Sequence, residues 1–398
     1  MSPPGAFGAL VVGGGVNGLA TAWHLARMGV PRVALVERFR LHHDRGSSHG
    51  AGRITRSTYS DARYVRLVRV AHEQEWPRLE RESGRTLIHR ADGIYFGPAD
   101  GDIEQWAAAV ASAGAPGVER IEAGEARRRF PQFAFPDAHA VLHDRTGGVV
   151  AAAETLLALD RLCRIEGVHV LEETRVLGLE PDRDPVGVDT DRGRLLAERV
   201  VVTAGAWVGQ LVPSLAAHTS VERQHVGYFA LAGPAERTRP GSFPVWVYLG
   251  GASGPAPVPP AAGSPPQRLF YGLPEFGRPG VKAARHGVSG RGDDPDDSPG
   301  PSPAAIEEVR VFLREQLAVR LGETLHAETC LYTNTPDEHF VIGALPAAPR
   351  VVVGSACSGH GFKFGPLTGR ILAELAFHGR TSVPEFEDAR ATFAVPAG

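Results

Sequence analysis

Three glycines near the start of the chain have the spacing of a dinucleotide-binding turn. Gly13, Gly15 and Gly18 form a GxGxxG pattern, and Glu37 follows nineteen residues after the third glycine. The first glycine allows a tight turn, the second lets the backbone approach a pyrophosphate, and the third permits close helix packing. The carboxylate can accept hydrogen bonds from ribose hydroxyls. The pattern therefore predicts a bound dinucleotide, and by itself it does not separate NAD from FAD.

Three later blocks bring in reactive and charged groups. They are residues 46–50 with 53–56, residues 271–274 with Lys282 and His286, and residues 330–333 with 337–340 and 358–364. With the glycine turn, and in this order, the blocks resemble the monomeric sarcosine oxidase and N-methyltryptophan oxidase family, FAD-dependent amine oxidases of the D-amino-acid-oxidase superfamily. The resemblance covers most of the chain. It implies FAD as the cofactor, with a small-molecule amine and O2 as the reactants.

The resemblance implies a role for each polar residue of these blocks. Arg56 and Lys363 match the pair that binds the substrate carboxylate, and a planar guanidinium suits bidentate contact with a carboxylate. Lys282 matches the lysine that activates oxygen, where a fixed cation stabilises developing negative charge. Tyr271 and His286 match residues that line the substrate cavity, where they can shape it or influence protonation of the amine.

Cysteine usage gives a further expectation. The cysteine that matches Cys330 is bonded covalently to the flavin in the family, so a covalent link through Cys330 is predicted. A thiolate adds readily to the electrophilic form of the flavin, provided that the site lowers the pKa of the thiol. Cys163 and Cys357 are predicted to be small buried hydrophobes. The chain has three cysteines and no CxxC pair, so neither a disulfide framework nor a structural zinc site is indicated.

The other predicted cofactor contacts follow from the same resemblance. They are Val16, Ser48, His49, Arg53, Val176, Ala204, Gly205, Trp207, Gly359, His360 and Gly361, and Lys363 is predicted to contact the cofactor as well as the substrate. The loop at 358–364 follows a predicted strand and precedes a predicted helix, so its N–H groups can point at the flavin carbonyl edge. The His-rich stretch at 42–49 aligns with the flavin-contacting loop of the family, and no metal site is predicted.

Hydrophobic periodicity predicts the elements that must position these residues. The pattern of residues 9–36 predicts a βαβ unit, with strands at 9–12 and 33–36 and a helix at 19–28. Further helices are predicted at 64–82, at 303–317 and up to residue 377, and buried parallel strands at 200–203 and 350–353. The predicted fold is mixed α/β, with a Rossmann-type FAD-binding domain interleaved with a smaller substrate domain built on a mixed, largely antiparallel sheet.

A length of 398 residues exceeds what one hydrophobic core usually serves, so two domains are expected. We predict an FAD-binding domain at 1–90, 146–218 and 326–398, and a substrate domain at 91–145 and 219–325. The low-complexity stretches at 250–266 and 287–303 are predicted to be mobile surface loops, because neither can bury much apolar surface. The first is longer than its family counterpart and precedes Tyr271, where it could cover or widen the entrance of the active site.

Composition narrows the possible partners. With 42 basic and 45 acidic residues the net charge is -3, so binding to nucleic acid is not expected. The apolar stretch near the N-terminus is short and interrupted by glycines, which predicts neither a signal peptide nor a membrane span. We expect a cytoplasmic protein that is a monomer or a small homo-oligomer.

The sequence therefore predicts an oxidase of the C–N bond of a secondary or cyclic amino acid, such as sarcosine, another N-methyl amino acid or a pipecolate-like compound. The products would be an imine and H2O2. Three alternatives stay open: a tailoring oxidase of a biosynthetic pathway that acts on a larger amine, an FAD dehydrogenase, and a non-catalytic flavin-binding protein. Lys282, Tyr271, Arg56 and Lys363 argue against the last of these. Residues 283–285 depart from the family pattern, so the substrate can be larger than sarcosine or differently charged.

Overall fold

A computed structural model describes residues 5–250, 268–287 and 292–396. The strands of this part are β1 (Phe7–Val12), β2 (Val33–Val36), β3 (Gly52–Thr55), β4 (Ile88–Arg90), β5 (Gly93–Pro98), β6 (Val118–Ile121), β7 (His139–Asp144), β8 (Gly148–Ala151), β9 (His169–Leu171), β10 (Val176–Glu180), β11 (Val186–Thr190), β12 (Gly193–Val202), β13 (Ser220–Leu231), β14 (Val245–Gly250), β15 (Arg268–Leu273), β16 (Val281–His286), β17 (Leu321–Asn334), β18 (Val341–Leu345) and β19 (Ala348–Ser355). The helices are α1 (Val16–Arg27), α2 (Ala62–Val70), α3 (Trp76–Ser83), α4 (Ile103–Ser112), α5 (Ala123–Arg129), α6 (Ala152–Ile165), α7 (Val208–Leu211), α8 (Pro213–Ala216), α9 (Pro303–Gln316), α10 (Gly365–His378) and α11 (Pro384–Glu387). The predicted mixed α/β class is confirmed.

The first large sheet contains the predicted βαβ unit. β1 pairs in parallel with β2 on one side and with β12 on the other, and β19 continues the parallel pairing beyond β12. The strands β1 and β2 and the last three residues of β12 consist mainly of buried aliphatic residues, as expected where both faces of a sheet are covered. Helices α1 and α10 pack closely on one face, where a Cβ at Gly369 would lie 2.5 Å from that of Ala20.

The second large sheet is mostly antiparallel, with the strand order β17-β13-β16-β15-β14-β5-β7-β6. Side chains alternate between the two faces of a strand, so Phe270 and Tyr271 of β15 point in opposite directions. Phe270 stacks on Phe312 of α9, with ring centroids 3.9 Å apart and an interplanar angle of 5°. One face of this sheet is therefore closed by α9, and the face that carries Tyr271 is turned toward the cavity described below.

Two of the predicted helices are present, one of them interrupted. The helix predicted at 64–82 is present as α2 and α3, but a π-helical turn at Ala71–Glu75 separates them. The helix predicted at 303–317 is α9, which begins after Ser302, whose hydroxyl accepts the N–H of Ala305 at 3.4 Å. Its predicted apolar face is buried. Among the described residues, no helix is both long and apolar enough to cross a membrane.

The second low-complexity stretch has fixed contacts. Asp293 accepts the N–H of Arg223 at 2.6 Å, and the carbonyl of Asp297 accepts from the Arg223 guanidinium at 2.7 Å. Asp296 binds Arg38 at 2.6 Å and the indole N–H of Trp207 at 2.8 Å. The predicted surface loop is present at 292–302, where hydrogen bonds and an ion pair connect it to the rest of the protein, and its mobility remains a prediction. Residues 251–267 and 288–291 lie outside the described residues.

Candidate active site

An elongated cavity of about 360 Å³ is lined by residues of both large sheets. This volume is in the range of cofactor and small-molecule sites. At one end, the glycine end, lie Gly13 and Glu37, and at the other, the arginine end, lie Arg56 and Lys363. Cys330 and Lys282 also line the cavity, and the charge of Arg53 acts on both. The predicted boundaries of the two domains remain a prediction.

The glycine end has the backbone geometry that the GxGxxG pattern predicts. Gly13 has φ +104°, and a Cβ there would lie 2.5 Å from the carbonyl oxygen of Thr203. A Cβ at Gly18 would collide with the carbonyl of Gly13, so this glycine permits the close approach of α1 to the strand. The first turn of α1 has no acidic residue and no side-chain cap. The positive end of this helix can therefore accept a pyrophosphate.

Glu37 is buried beside the glycine turn. Its Oε2 accepts the N–H of Gly14 at 2.6 Å, and its Oε1 accepts the N–H of Phe39 at 2.8 Å. These bonds fix the carboxylate, and each oxygen can still accept a further bond from a ribose hydroxyl. Ser48 lies on the other side of the turn, where its hydroxyl accepts the N–H of Val16 at 3.2 Å.

Arg53 connects the loop before β3 to the middle of the cavity. Its Nη2 donates to the carbonyls of Ser47 at 2.9 Å and His49 at 2.5 Å, and lies 3.9 Å from Sγ of Cys330. Lys282 lies on the neighbouring sheet, with Nζ 3.5 Å from a carboxylate oxygen of Glu328. Burial, followed by the Arg53 charge, lowers the pKa of Lys282 to about 8, and Glu328 acts in the opposite direction.

The pKa of Cys330 departs from the expectation. Burial of the thiol raises its pKa, although the charges of Arg53 and Lys282 act to lower it. The expectation that the site lowers the pKa of this thiol is therefore wrong. Desolvation destabilises the thiolate by more than the two nearby cations stabilise it. The two cations are nevertheless placed to favour the thiolate.

The arginine end contains two basic side chains, the half-buried Arg56 and the buried Lys363. The Arg56 guanidinium lies between aromatic rings, 4.4 Å from the centroid of Tyr59 and 4.9 Å from that of Trp106. Lys363 donates from Nζ to the carbonyl of His360 at 2.6 Å. Burial, and then the charge of Arg56, holds the pKa of Lys363 well below its usual range. Nη1 of Arg56 is buried and has no hydrogen-bond partner among the described residues. An anion placed between the two cations would satisfy both.

Three polar rings form a group in the same cavity: Tyr271, Tyr332 and His286. The hydroxyls of Tyr271 and Tyr332 are 3.4 Å apart, and the His286 ring is 5.4 Å from that of Tyr332. Burial, together with the charges of Arg56 and Lys363, lowers the pKa of His286 to about 4. Burial raises the pKa of both tyrosines. All three rings are therefore uncharged at neutral pH, and they can exchange hydrogen bonds without adding charge to the cavity.

The predicted site residues that line this cavity are Gly13, Gly15, Val16, Glu37, Ser48, Arg53, Arg56, Val176, Ala204, Gly205, Trp207, Tyr271, Lys282, His286, Cys330, Gly359, His360, Gly361 and Lys363. Two others, Gly18 and His49, do not. The backbone carbonyl of His49 accepts a hydrogen bond from Arg53, and burial lowers the pKa of the His49 ring to about 4. The predicted contact of His49 with the cofactor remains a prediction.

Four residues that contact Arg56 or Lys282 were not predicted from the sequence: Tyr59, Trp106, Tyr228 and Glu328. Tyr59 and Trp106 enclose Arg56, and Trp106 reaches it from α4, far away in sequence. Glu328 could have been predicted, because it precedes Cys330 by two residues and the alternation of side chains along a strand places both on one face. A second signal concerns the lysines: Lys282 and Lys363 are the only lysines in the chain. All other cationic positions are arginine or histidine, so both lysines stand out.

The chain belongs to the DAO family of FAD-dependent oxidoreductases, whose model matches residues 9–375. Peroxisomal sarcosine oxidase of Mus musculus is 33% identical over 376 residues, which cover 92% of this chain and 91% of that protein. Monomeric sarcosine oxidase of Bacillus sp. (strain B-0618) is 30% identical over 382 residues, with 94% and 93% covered. These relatives confirm the resemblance to sarcosine oxidases and the assignment as an FAD-dependent amine oxidase.

A solved structure supports the same classification. A variant of NikD, described as an unusual amino acid oxidase essential for nikkomycin biosynthesis, superposes with a TM-score of 0.80. The two chains are 28% identical, and 95% of each is covered. Glycine oxidase from Geobacillus kaustophilus, at 20% identity and a TM-score of 0.77, shares the fold.

Proposed function

We propose that this protein oxidises the C–N bond of a secondary or cyclic amino acid and transfers the electrons to O2. Two electrons and two protons leave the C–N unit, which becomes C=N, and both are recovered in the H2O2 formed from O2. The observation that carries this proposal is the pair Arg56 and Lys363, two basic side chains that line one cavity without an acidic partner described for either. A substrate carboxylate is the group that such a pair selects.

FAD supplies the capacity to take a hydride from substrate and to reduce oxygen. The residues of the glycine end fit its ADP half, because the backbone at Gly13 leaves no space for a side chain and Glu37 is fixed beside the turn. The residues around Arg53, Lys282 and Cys330 would then adjoin the flavin half, since they line the same cavity.

The substrate is bound at the arginine end in this proposal. Arg56 and Lys363 hold its carboxylate, and the added negative charge favours the charged form of Lys363. The same two cations, with the uncharged His286 ring, favour a neutral amine next to them. A neutral amine keeps the nitrogen lone pair that stabilises the carbon as hydride leaves. Tyr271 and Tyr332 provide hydroxyls that can orient the nitrogen.

Anaerobic reduction of the flavin by a set of amines tests the proposal. Sarcosine, N-methylalanine, proline and pipecolate are compared with their methyl amides, which lack the carboxylate. We expect flavin bleaching by at least one acid and much weaker bleaching by its amide, followed by stoichiometric H2O2 when air is admitted. Bleaching by none of the amines would contradict the proposal. Bleaching without peroxide would support a dehydrogenase instead.

A second candidate is a tailoring oxidase that acts on a larger, ring-containing amine. Two observations favour keeping it: the similarity to NikD, and the aromatic wall formed by Tyr59 and Trp106 beside Arg56. The same bleaching experiment with ring-substituted cyclic amino acids separates it from the first candidate. A limiting reduction rate constant at least tenfold higher for such a compound than for sarcosine would favour the tailoring function.

We further propose that FAD is attached covalently to Cys330. The thiol lies in the cavity near Arg53 and Lys282, whose charges act toward the reactive thiolate although burial raises the pKa of the thiol overall. Replacing Cys330 with alanine is expected to release the yellow colour into the supernatant on acid precipitation, while the parent protein keeps it in the pellet. Cys357→Ala is the matched control, because Cys357 also lines the cavity. Colour released by the parent protein would contradict covalent attachment.

A further inference from the structure

Glu328 contacts several groups around Lys282, and the proposed reaction gives it no role. It lies on β17, two residues before Cys330, and its side chain is 16% exposed. Its Oε1 lies 3.5 Å from Nζ of Lys282 and accepts a hydrogen bond from the hydroxyl of Tyr228 at 2.8 Å. Its Oε2 lies 3.9 Å from a ring nitrogen of His326.

Four strands bring this arrangement together. Tyr228 of β13 is opposite Lys282 of β16 in the antiparallel register, and β13 also pairs with β17, which carries Glu328. The Tyr228 ring lies under the lysine, with Nζ 5.6 Å from the ring centroid. Arg53 approaches from β3. The Tyr228 hydroxyl therefore fixes the Glu328 carboxylate without adding charge, and the carboxylate remains beside the Lys282 ammonium.

The charges around Lys282 do not balance without Glu328. Arg53 and burial both disfavour the ammonium form, and Cys330 and Glu328 favour it. The His49 ring adds no charge at neutral pH because burial lowers its pKa to about 4. When two cations share a buried site, the lysine releases its proton, since an arginine does not. The carboxylate of Glu328 is thus the group that opposes Arg53.

We propose that Glu328 is a positioning residue that holds Lys282 in the cavity and keeps its side chain charged, so that the lysine meets oxygen as a cation. The inference rests on the oxidase function proposed above. It assigns to Glu328 an effect on the oxidative half of the reaction and none on carboxylate binding, because Arg56 and Lys363 are not among the charges that act on Glu328 or Lys282.

The test uses Glu328→Gln, which keeps the size of the side chain and an acceptor for Tyr228 but removes the charge. Glu323→Gln is the matched control, because Glu323 is an exposed acid on the same strand. Since the chain has two lysines, holoprotein labelled with 13C and 15N at lysine gives two side-chain NMR signals, and a Lys363→Met sample assigns them.

In Glu328→Gln we expect the titration midpoint of the Lys282 signal to fall by about one to two pH units, the size of effect that a carboxylate at this distance has. The midpoint should be unchanged in Glu323→Gln. An unchanged midpoint in Glu328→Gln would overturn the proposal. This readout needs no substrate and no turnover.

The second measurement follows reoxidation of the flavin by O2 after reduction with dithionite. From the parent pKa of about 8, a fall of one to two units leaves roughly 3- to 25-fold less charged lysine at pH 7.5, so reoxidation should slow by that factor. The difference should shrink toward pH 6. Equal pH profiles would overturn the role in oxygen reduction. Because dithionite replaces the amine, a failure of the proposed amine oxidation does not affect this result.

Discussion

Replacing Arg56 with leucine is expected to raise the dissociation constant of a carboxylate-bearing amine by about 100-fold or more. Losing one partner of a buried, hydrogen-bonded ion pair costs roughly 3 kcal/mol, which corresponds to this factor. Arg56 is fixed for this role, because the rings of Tyr59 and Trp106 enclose its guanidinium and leave Nη1 without a partner among the described residues. The concentration dependence of anaerobic flavin reduction measures the dissociation constant.

The controls separate charge from shape. Arg56→Lys keeps the charge but loses the planar fork, so its effect should be smaller, about tenfold. Arg161→Leu changes an exposed arginine of α6 outside the cavity and should have no effect. The methyl amide of the same amino acid should bind the parent and Arg56→Leu equally. An equal loss for acid and amide would show that Arg56 supports the cavity and does not bind the carboxylate.

Replacing Lys282 with methionine is expected to slow reoxidation of the flavin by O2 by about 100- to 1000-fold, the range for removal of one preorganised group that stabilises developing charge. Methionine has nearly the length of lysine, so the packing against Tyr228 is retained. Flavin reduction by the amine should change less than threefold, because the carboxylate is held elsewhere. Stopped-flow mixing of reduced protein with O2 measures the effect.

The pH dependence provides an independent check on Lys282. Its pKa is lowered to about 8, so the charged form predominates below pH 8 and is lost above it. Reoxidation of the parent protein should therefore be fast at pH 6 to 7 and should fall as the pH rises through 8, whereas Lys282→Met should be slow throughout. A parent profile that rises through pH 8, or a variant with the parent's profile, would contradict the role of Lys282.

Local sequence patterns predicted the elements that depend on neighbours in the chain. The glycine turn, its flanking strands and Glu37 lie within some forty residues. A buried strand, a glycine turn, a helix and a second strand that ends in an acid are sufficient to specify such a unit. Helix α9 was predicted for the same reason, since its apolar residues recur at the helical period. The contacts of the segment at 292–302 could not be predicted, because they are polar contacts with distant residues and leave no hydrophobic pattern.

The sequence by itself determined the class of protein, the cofactor and the chemical types available at the site, because these depend on motifs and on residue identity. Only the tertiary structure decided which groups meet. Strand register places Glu328 and Tyr228 against Lys282, and packing of α4 places Trp106 against Arg56. It also decided the direction in which the pKa of Cys330 moves. Burial and charge at a site are sums over residues that are distant in sequence, and no local spacing encodes them.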